Sequence, residues 1–291
     1  METISCIICG SNSHAFFDKV QDRFSANSNL FQLVRCQCGF VYLNPRPTHD
    51  NIKNYYNLEE YDPHEPTNRG LWKKVYTTIQ LVTFYWKFIK IRPFKLSGKI
   101  LDIGGGQGEF TNYMANKDWF AYLQDEHSTQ KDFNNSNKVK YFRFLNDIPN
   151  DKYFQVISLW HSLEHIHDIE YVMKYINKNL EKDGIALIAV PNLDAPERLF
   201  LKRNWIPYDP PRHLYHFNLT SLEALCDKFK LKVIRKHSMY QDTPYNVLIS
   251  LKPLNTIKFI AALSITIFSW AVTFIRGPKY SSSILLVCQR Q

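Results

Sequence analysis

The sequence predicts an α/β protein built on a doubly wound sheet, preceded by a small zinc-binding lobe. Three observations carry that expectation. From residue 99 onward, short apolar runs alternate with helical patterns, as they do where parallel strands are joined by crossover helices. A glycine-rich turn with Gly104, Gly106 and Gly108 follows the first of these runs, at the strand end where such sheets bind ligands. Finally, four of the six cysteines fall within the first 38 residues.

The cysteines come first in the chain. Cys6-x-x-Cys9-Gly and Cys36-x-Cys38-Gly are two short turns separated by 26 residues. Each offers two thiolates, and four soft ligands within tetrahedral reach favour structural zinc, whose binding would fold a segment too small for its own core. With all four positions filled by protein, that metal has no open site for catalysis. Residues 1–47 are therefore read as a zinc-binding lobe and 48–98 as a helical connector. In the connector, Leu71, Val75, Ile79, Val82, Trp86 and Ile89 mark one helix face expected to pack on the core. Tyr55, Tyr56 and Tyr61 precede it, among acidic residues. Cys226 and Cys288 lie in helical and strand patterns and read as core thiols.

Residues 99–291 form the main domain, with an apolar insertion at 239–279. "KILDIGGGQGEF" reads as a strand running into the glycine turn and a helix start, with Asp102 just ahead of the glycines. Its G-x-G-x-G spacing differs from the G-x-G-x-x-G of dinucleotide binders. Next, "FAYLQDEHS" is a second strand tipped by Asp125 and Glu126, with Glu126 the preferred acceptor for a pair of ribose hydroxyls. "KYFRFLND" is a third strand ending at Asp147, "FQVISLW" a fourth and "GIALIAVPN" a fifth. "DIEYVMKYINKNL" carries a helical stripe between the last two. A capping box from Thr220 to Glu223 opens a further helix, followed by strands at "LKVIRKHS" and "SSILLVC". Between those strands lie seventeen uncharged residues, 259–275, flanked by Lys258 and Arg276. That segment approaches membrane-spanning length, but neighbouring strands on either side require it to return to the side it left. It is left with two roles: docking on a membrane surface, or packing within or between protomers as in a homodimer.

The formal charge of +9 fits anionic partners without choosing among phosphorylated metabolites, nucleic acid and lipid headgroups. The start of the chain is neither basic nor apolar enough for a secretion signal, so a cytoplasmic location is expected, with peripheral contact at the inner membrane surface open to it. Lysines and arginines are spread along the chain with no concentrated tract, which counts against a nucleic-acid acceptor.

D-x-G-x-G-x-G, an acid about twenty residues on and L-E-H after the fourth strand resemble the class I S-adenosylmethionine-dependent methyltransferases. "RCQCGFVYLNPRP", "SLWHSLEH" and "PRHLYHFN" more closely resemble a bacterial group with an N-terminal zinc-binding lobe, related to sugar C-methyltransferases. The resemblance implies a seven-stranded Rossmann-like methyltransferase sheet with S-adenosyl-L-methionine as cofactor. Asp102, Gly104, Gly106 and Gly108 would surround its methionine end, Glu126 its ribose and Asp147 its adenine. Gln107 stands where threonine or serine is common. The tyrosines of the connector would roof the substrate cleft. His213 matches a histidine base of the sugar-methylating relatives, while Arg212 replaces the glutamate that precedes it there and offers a cation to a substrate phosphate or carboxylate.

"HSLEH" at 161–165 also has the order of an inverted zinc peptidase. Such a site needs its histidines on a long helix with another ligand downstream, whereas "IHDIEY" turns at once into a new helix start. His161 is instead expected to line the methyl-transfer pocket as a second candidate base, with Glu164 and His165 ordering the loop. The "DPP" of residues 209–211 follows strand five, not strand four, so it does not reproduce the loop of amino-methylating nucleic-acid enzymes. The leading expectation is methyl transfer to a carbon or oxygen of a small molecule or glycan intermediate. Its alternatives are an RNA methyltransferase and a noncatalytic module docking a membrane or partner.

Overall fold

The computed structural model of the protein describes residues 1–24, 29–56, 71–126, 138–149 and 153–291. Tyr61 lies outside them, as do the side chains of Leu71 and Val75. The lobe begins with β1 (His14–Gln21), β2 (Leu30–Cys36) and β3 (Val41–Leu43), paired antiparallel in sequence. After a short turn of helix, α1 (His49–Ile52), the connector forms α2 (Leu71–Ile91). The core alternation then runs through β4 (Lys99–Ile103), α3 (Glu109–Ala115), β5 (Phe120–Gln124), β6 (Val139–Phe142) and β7 (Phe154–Trp160). It continues with α4 (Ile169–Asn179), β8 (Leu180–Pro191), α5 (Glu197–Leu201), β9 (Tyr215–His216) and α6 (Leu219–Lys228). The chain closes with β10 (Leu231–Ser238), α7 (Asp242–Ser250), α8 (Thr256–Arg276) and β11 (Ser283–Arg290).

Seven strands join in the order β10-β11-β8-β7-β4-β5-β6. The central strands are parallel, and β11 enters antiparallel between β8 and β10. This is the doubly wound, Rossmann-like sheet expected from the alternation. Parallel strands buried on both faces need apolar side chains in both directions, and β4, β7 and β8 supply them. Along β4, Ile100 packs with Phe110, Met114 and Ile91 on the face covered by α2 and α3. Leu101 and Ile103 pack with Met173, Ile176 and Leu225 on the face covered by α4 and α6. Cys226 and Cys288 are buried thiols 3.8 Å apart in that second layer.

Three local expectations change. The connector stripe holds only in part: Trp86 packs against the core as expected, but Ile79 and Val82 are exposed, and Phe84, Phe88 and Ile91 join the packed face. Neighbouring aromatic rings on α3 select that face, with Phe84 6.0 Å from Phe110. The cap of α6 sits at Asn218, whose side chain accepts from the Ser221 amide while Ser221 Oγ accepts from the Asn218 amide, displacing the Thr220–Glu223 box. The third strand ends at Phe142, and Asp147 falls in a short 3₁₀ turn where its carboxylate accepts from the Phe144 amide.

The lobe does not stand apart. Its sheet has the order β1-β2-β3-β9, so its fourth strand comes from the loop after β8. Phe40, Tyr42, Tyr215 and Phe217 stack across that seam in one continuous core. Two arginines lock it. Arg46 donates to Glu2 Oε1, to the Tyr215 hydroxyl and to the His167 carbonyl. Arg212 is fully buried, donating to Asp22 Oδ1 at 2.7 Å, to both oxygens of Asp209 and to the Tyr55 carbonyl. Burial would pull its pKa down, but the two carboxylates outweigh that and raise it. The expectation that Arg212 greets a substrate anion is therefore corrected: its donors are committed to the protein's own acids.

Removing one member of a buried ion group strands the others. Arg212→Met should lower the unfolding free energy in urea by about 3–5 kcal/mol. Adding Asp22→Asn to that variant should recover part of the loss. Equal stability of Arg212→Met and wild type would contradict the buried cluster.

Candidate active site

The glycine turn is built from the end of β4. The amides of Gly104 and Gly105 both reach the Gln124 carbonyl at the end of β5, at 2.7 and 3.3 Å. Gly104 has φ +66°, and a Cβ there would lie 2.5 Å from Ser162 Cβ. A Cβ on Gly105 would lie 2.4 Å from Leu123 Cδ1 and 2.7 Å from Asp102 Oδ2. The turn thus presents bare backbone with side chains excluded at two successive positions, a cradle suited to the close approach of a cofactor. Gly105 was passed over in the spacing pattern; the unbroken Gly104-Gly105-Gly106 run was its signal. Gly106 and Gly108 also have positive φ, and Gly108 caps α3.

Asp102 lies beneath this turn, almost wholly buried. Ser158 on β7 and Thr111 on α3 donate to its two oxygens at 2.6 and 3.3 Å. Burial raises its pKa to about 6, against the opposing pull of those donors and of Lys87. Lys87 reaches in from α2, its ammonium 4.6 Å from the Trp160 ring centroid and 5.1 Å from that of Phe110. Burial lowers its pKa to about 8. Position 87 lies beside the stripe read in the connector, so sequence patterning gave no reason to select it.

The two acids after β5 take different directions. Asp125 Oδ2 accepts from the Gly106 amide at 2.9 Å and so shapes the turn. Glu126 is half-buried and meets His49 Nε2 on α1 at 3.2 Å. It follows directly on Asp125, the residue that holds the turn, and pairs with His49 on α1.

The loop after β7 and the loop before β9 meet over the same sheet edge. His161 has φ +55° and makes two ion pairs, 2.9 Å from Asp242 Oδ2 on α7 and 3.6 Å from Glu164 Oε1. Burial alone would lower its pKa, yet these carboxylates raise it to about 10. An imidazolium held this way has no lone pair to offer, which removes His161 from the candidate bases and makes it a fixed cation. Asp242, unremarked in the sequence, completes that clamp through a chain separation of 81 residues that no local pattern encodes.

Glu164 is fully buried, and neither of its oxygens accepts a hydrogen bond among the described residues. Burial opposes its charge, but His161, His213 and His165 together lower its pKa. Glu164, His165 and His213 bring one ligand-type atom each within 4.8 Å of one another. His213 Nδ1 lies 2.8 Å from the Pro207 carbonyl. A carbonyl only accepts, so Nδ1 carries the proton, and in the neutral tautomer the lone pair falls on Nε2. The His165 ring stands edge-on to His213 at 4.5 Å, and its Nδ1 lies 3.0 Å from the Tyr56 hydroxyl. Burial, with a smaller contribution from neighbouring His213, lowers the His165 pKa to about 4, and the same causes lower that of buried His216 to about 3. Both are neutral imidazoles at ordinary pH. Tyr56 thus covers this pocket, whereas Tyr55 packs its ring on Phe31 in the lobe.

In the lobe, Cys6 Sγ lies 3.6 Å from Cys38 Sγ, and Cys9 Sγ 3.4 Å from Cys36 Sγ. All four sulfurs fall within 4.8 Å of one another. A tetrahedral Zn–S site has S···S edges of roughly 3.8 Å, so the donor set fits that metal without rearrangement. Gly10 and Gly39 close the two turns through their amides to the Cys6 and Cys36 carbonyls, at 2.8 and 2.9 Å.

The His161 clamp has a pH signature. Because its pKa rises from 6.5 to about 10 on folding, its contribution to stability is complete below pH 6.5. The contribution declines as the unfolded chain loses its proton, and is gone above about pH 10. His161→Gln should therefore show a smaller fall in unfolding free energy between neutral and alkaline pH than wild type. Identical pH slopes would refute the clamp.

With this geometry in hand, comparison with known proteins is direct. A sequence family described as "Methyltransferase domain" matches residues 76–236, more than half of the chain. Among solved structures, the chain is similar to the cyclopropane synthase MmaA2 from Mycobacterium tuberculosis. The two share 15% identity and a TM-score of 0.50, over 78% of this chain and 87% of that one. A SAM-dependent methyltransferase from Archaeoglobus fulgidus is similar at 14% identity and TM-score 0.46, over 76% of this chain and 100% of that one. A Haemonchus contortus N-methyltransferase, solved with phosphomonomethylethanolamine and S-adenosylhomocysteine, is similar at 15% identity and TM-score 0.46, over 72% and 52%. No curated protein matches the sequence. Likeness at such identities speaks for the fold, and the family match speaks for the chemistry; together they set aside the noncatalytic reading. The chain belongs to the methyltransferase-domain family and is a methyltransferase.

Proposed function

We propose that this enzyme methylates a carbon or oxygen of a small molecule or glycan intermediate, with His213 as the base that takes the acceptor's proton. The observation that carries the reading is the state of His213. Its Nδ1–H is held by the Pro207 carbonyl, which in the neutral tautomer assigns the lone pair to Nε2, and a buried Glu164 carboxylate oxygen lies within 4.8 Å of the ring nitrogens of the cluster. An ionised, unsatisfied carboxylate there favours the imidazolium that forms when Nε2 gains a proton, so the acceptor is deprotonated without a charged base in the resting site. The match of His213 to the base of sugar C-methylating relatives supports the same assignment.

When bound, S-adenosylmethionine supplies an electrophilic methyl on a sulfonium leaving group. The chain's own residues bind, orient and exclude water. Asp102 and the glycines at 104, 106 and 108, together with Gly105, form the wall for the methionine end. Glu126, freed from His49, takes the ribose hydroxyls, and Asp147 borders the adenine. Neutral His165, anchored by Tyr56, packs against the base and limits its rotation. The fixed His161 cation holds Glu164 and Asp242 in place at the mouth.

Two variants separate binding from chemistry. Glu126→Gln removes charge-assisted hydrogen bonds and should weaken S-adenosylmethionine binding by about tenfold to a hundredfold in calorimetry. His213→Asn should leave that affinity in place and cut S-adenosylhomocysteine release from a responsive nucleotide-sugar acceptor by at least about a hundredfold. Full turnover by His213→Asn would reject the base; unchanged affinity in Glu126→Gln would reject the ribose contact.

We further propose a structural zinc ion on Cys6, Cys9, Cys36 and Cys38, which fixes residues 1–47 as the lobe that β9 completes. Elemental analysis of purified protein should give one zinc per chain, and Cys9→Ser with Cys38→Ser should lose it and lower the Tm. Metal-free protein with an unchanged Tm would discard the ion.

A further inference from the structure

Helix α8 is amphipathic in the wrong sense for a water-facing surface. The residues it buries are Ala262, Thr266, Ser269 and Thr273, at spacings of four, three and four, a single stripe of small and hydroxyl side chains. Thr273 Oγ1 donates to the Tyr280 carbonyl on that inner side. The outward face carries Ile260, Leu263, Ile267, Phe268, Phe274 and Ile275, with Phe274 84% exposed. α5 extends the apolar area through exposed Leu199 and Phe200, the latter 5.3 Å from the Phe268 ring. An exposed apolar area of this kind marks an interaction surface.

We propose that this face docks on an anionic lipid bilayer, with α8 lying in the plane of the interface. Charge complementarity selects that occupant. No aspartate or glutamate follows Asp242 in the chain, while Lys252, Lys258, Arg276, Lys279 and Arg290 do. Lys258 and Arg276 stand at the two ends of the helix, and Lys279 lies just beyond it. An interfacial helix combines such an apolar face with flanking cations that meet lipid phosphates. Trp270 adds an amphipathic ring, its Nε1 donating to the Tyr240 carbonyl while part of its face is open.

By length and composition α8 could cross a membrane, since 21 residues of helix span about 30 Å. Its contacts hold it on the surface instead. The inner stripe stays packed against the protein from Ala262 to Thr273, and the chain leaves β10 and enters its antiparallel neighbour β11 at the same end of the sheet. α7 also carries Asp242, the partner of His161, so the docking helix is tied to the wall of the active site. The inference needs neither His213 nor any particular acceptor.

The test is flotation of the full-length protein with vesicles of phosphatidylcholine alone and of equimolar phosphatidylcholine and phosphatidylglycerol. Wild type should float with the mixed vesicles, bind the neutral ones more weakly and dissociate as salt is raised. Replacing Ile260, Leu263, Ile267 and Phe274 with serine should lower binding by more than about tenfold. Lys258→Gln with Arg276→Gln and Lys279→Gln should remove the preference for phosphatidylglycerol. Circular dichroism and S-adenosylmethionine affinity, read on the same variants, report whether the fold has been kept. Flotation unaffected by the apolar substitutions in folded protein would overturn the proposal. So would a wild type that ignores both vesicles and sediments as a dimer that the same substitutions dissociate, because the face would then be covered by a second copy.

Discussion

The Asp102 carboxylate, sealed at the end of β4, ties together the elements on which the cofactor cradle depends. Ser158 holds it to β7 and Thr111 holds it to α3, while Gly105 passes so close above it that no side chain fits. A buried carboxylate left unbonded would be expensive, so its donors and the turn must be in place together. That requirement makes strand order, helix start and glycine conformation parts of one constraint. Burial raises the Asp102 pKa, and Lys87, brought in by α2, opposes the rise. The connector thereby contributes to the electrostatics of the cradle as well as to its packing.

A second buried charge group shapes the acceptor side. Glu164 is surrounded by imidazoles in different states: His161 is held as a cation, and His165 is kept neutral by burial. Residues of one type thus take different charge states from their surroundings within one site. Arg212 belongs to neither task. Its two aspartates draw it into the seam between lobe and sheet, where β9 also crosses, so the loop that carries His213 is anchored immediately before the histidine. The lobe and the pocket are for that reason mechanically linked, and the thiol cluster supports the lobe from its far side.

The apolar insertion follows a different logic. In α8 the small and hydroxyl side chains form the packed side, where Thr273 Oγ1 reaches the Ser269 and Tyr280 carbonyls. Large apolar side chains on the other side gain nothing from the protein's own core. Such an arrangement leaves apolar surface whose burial would be favourable. Because α7 connects this helix to His161, whatever covers α8 bears on an element that lines the active site.

The sequence by itself determined the alternation of strands and helices, the glycine turn, the thiol turns and the candidate histidine at 213. These are local: apolar period, backbone freedom and short-range spacing are written in neighbouring residues. The orientation of the connector, the state of His161, the role of Arg212 and the joining of β9 to the lobe were decided only by tertiary structure. Each depends on groups far apart in the chain, such as Asp242 reaching His161 or Asp22 reaching Arg212. Charge state follows from burial and partners, and neither is a property of a residue's neighbours in sequence. The apolar run at 259–275 shows the division in a single segment. Its composition left surface docking and packing within or between protomers both open, and which side chains face outward was settled by the small hydroxyl stripe that the rest of the fold could accommodate.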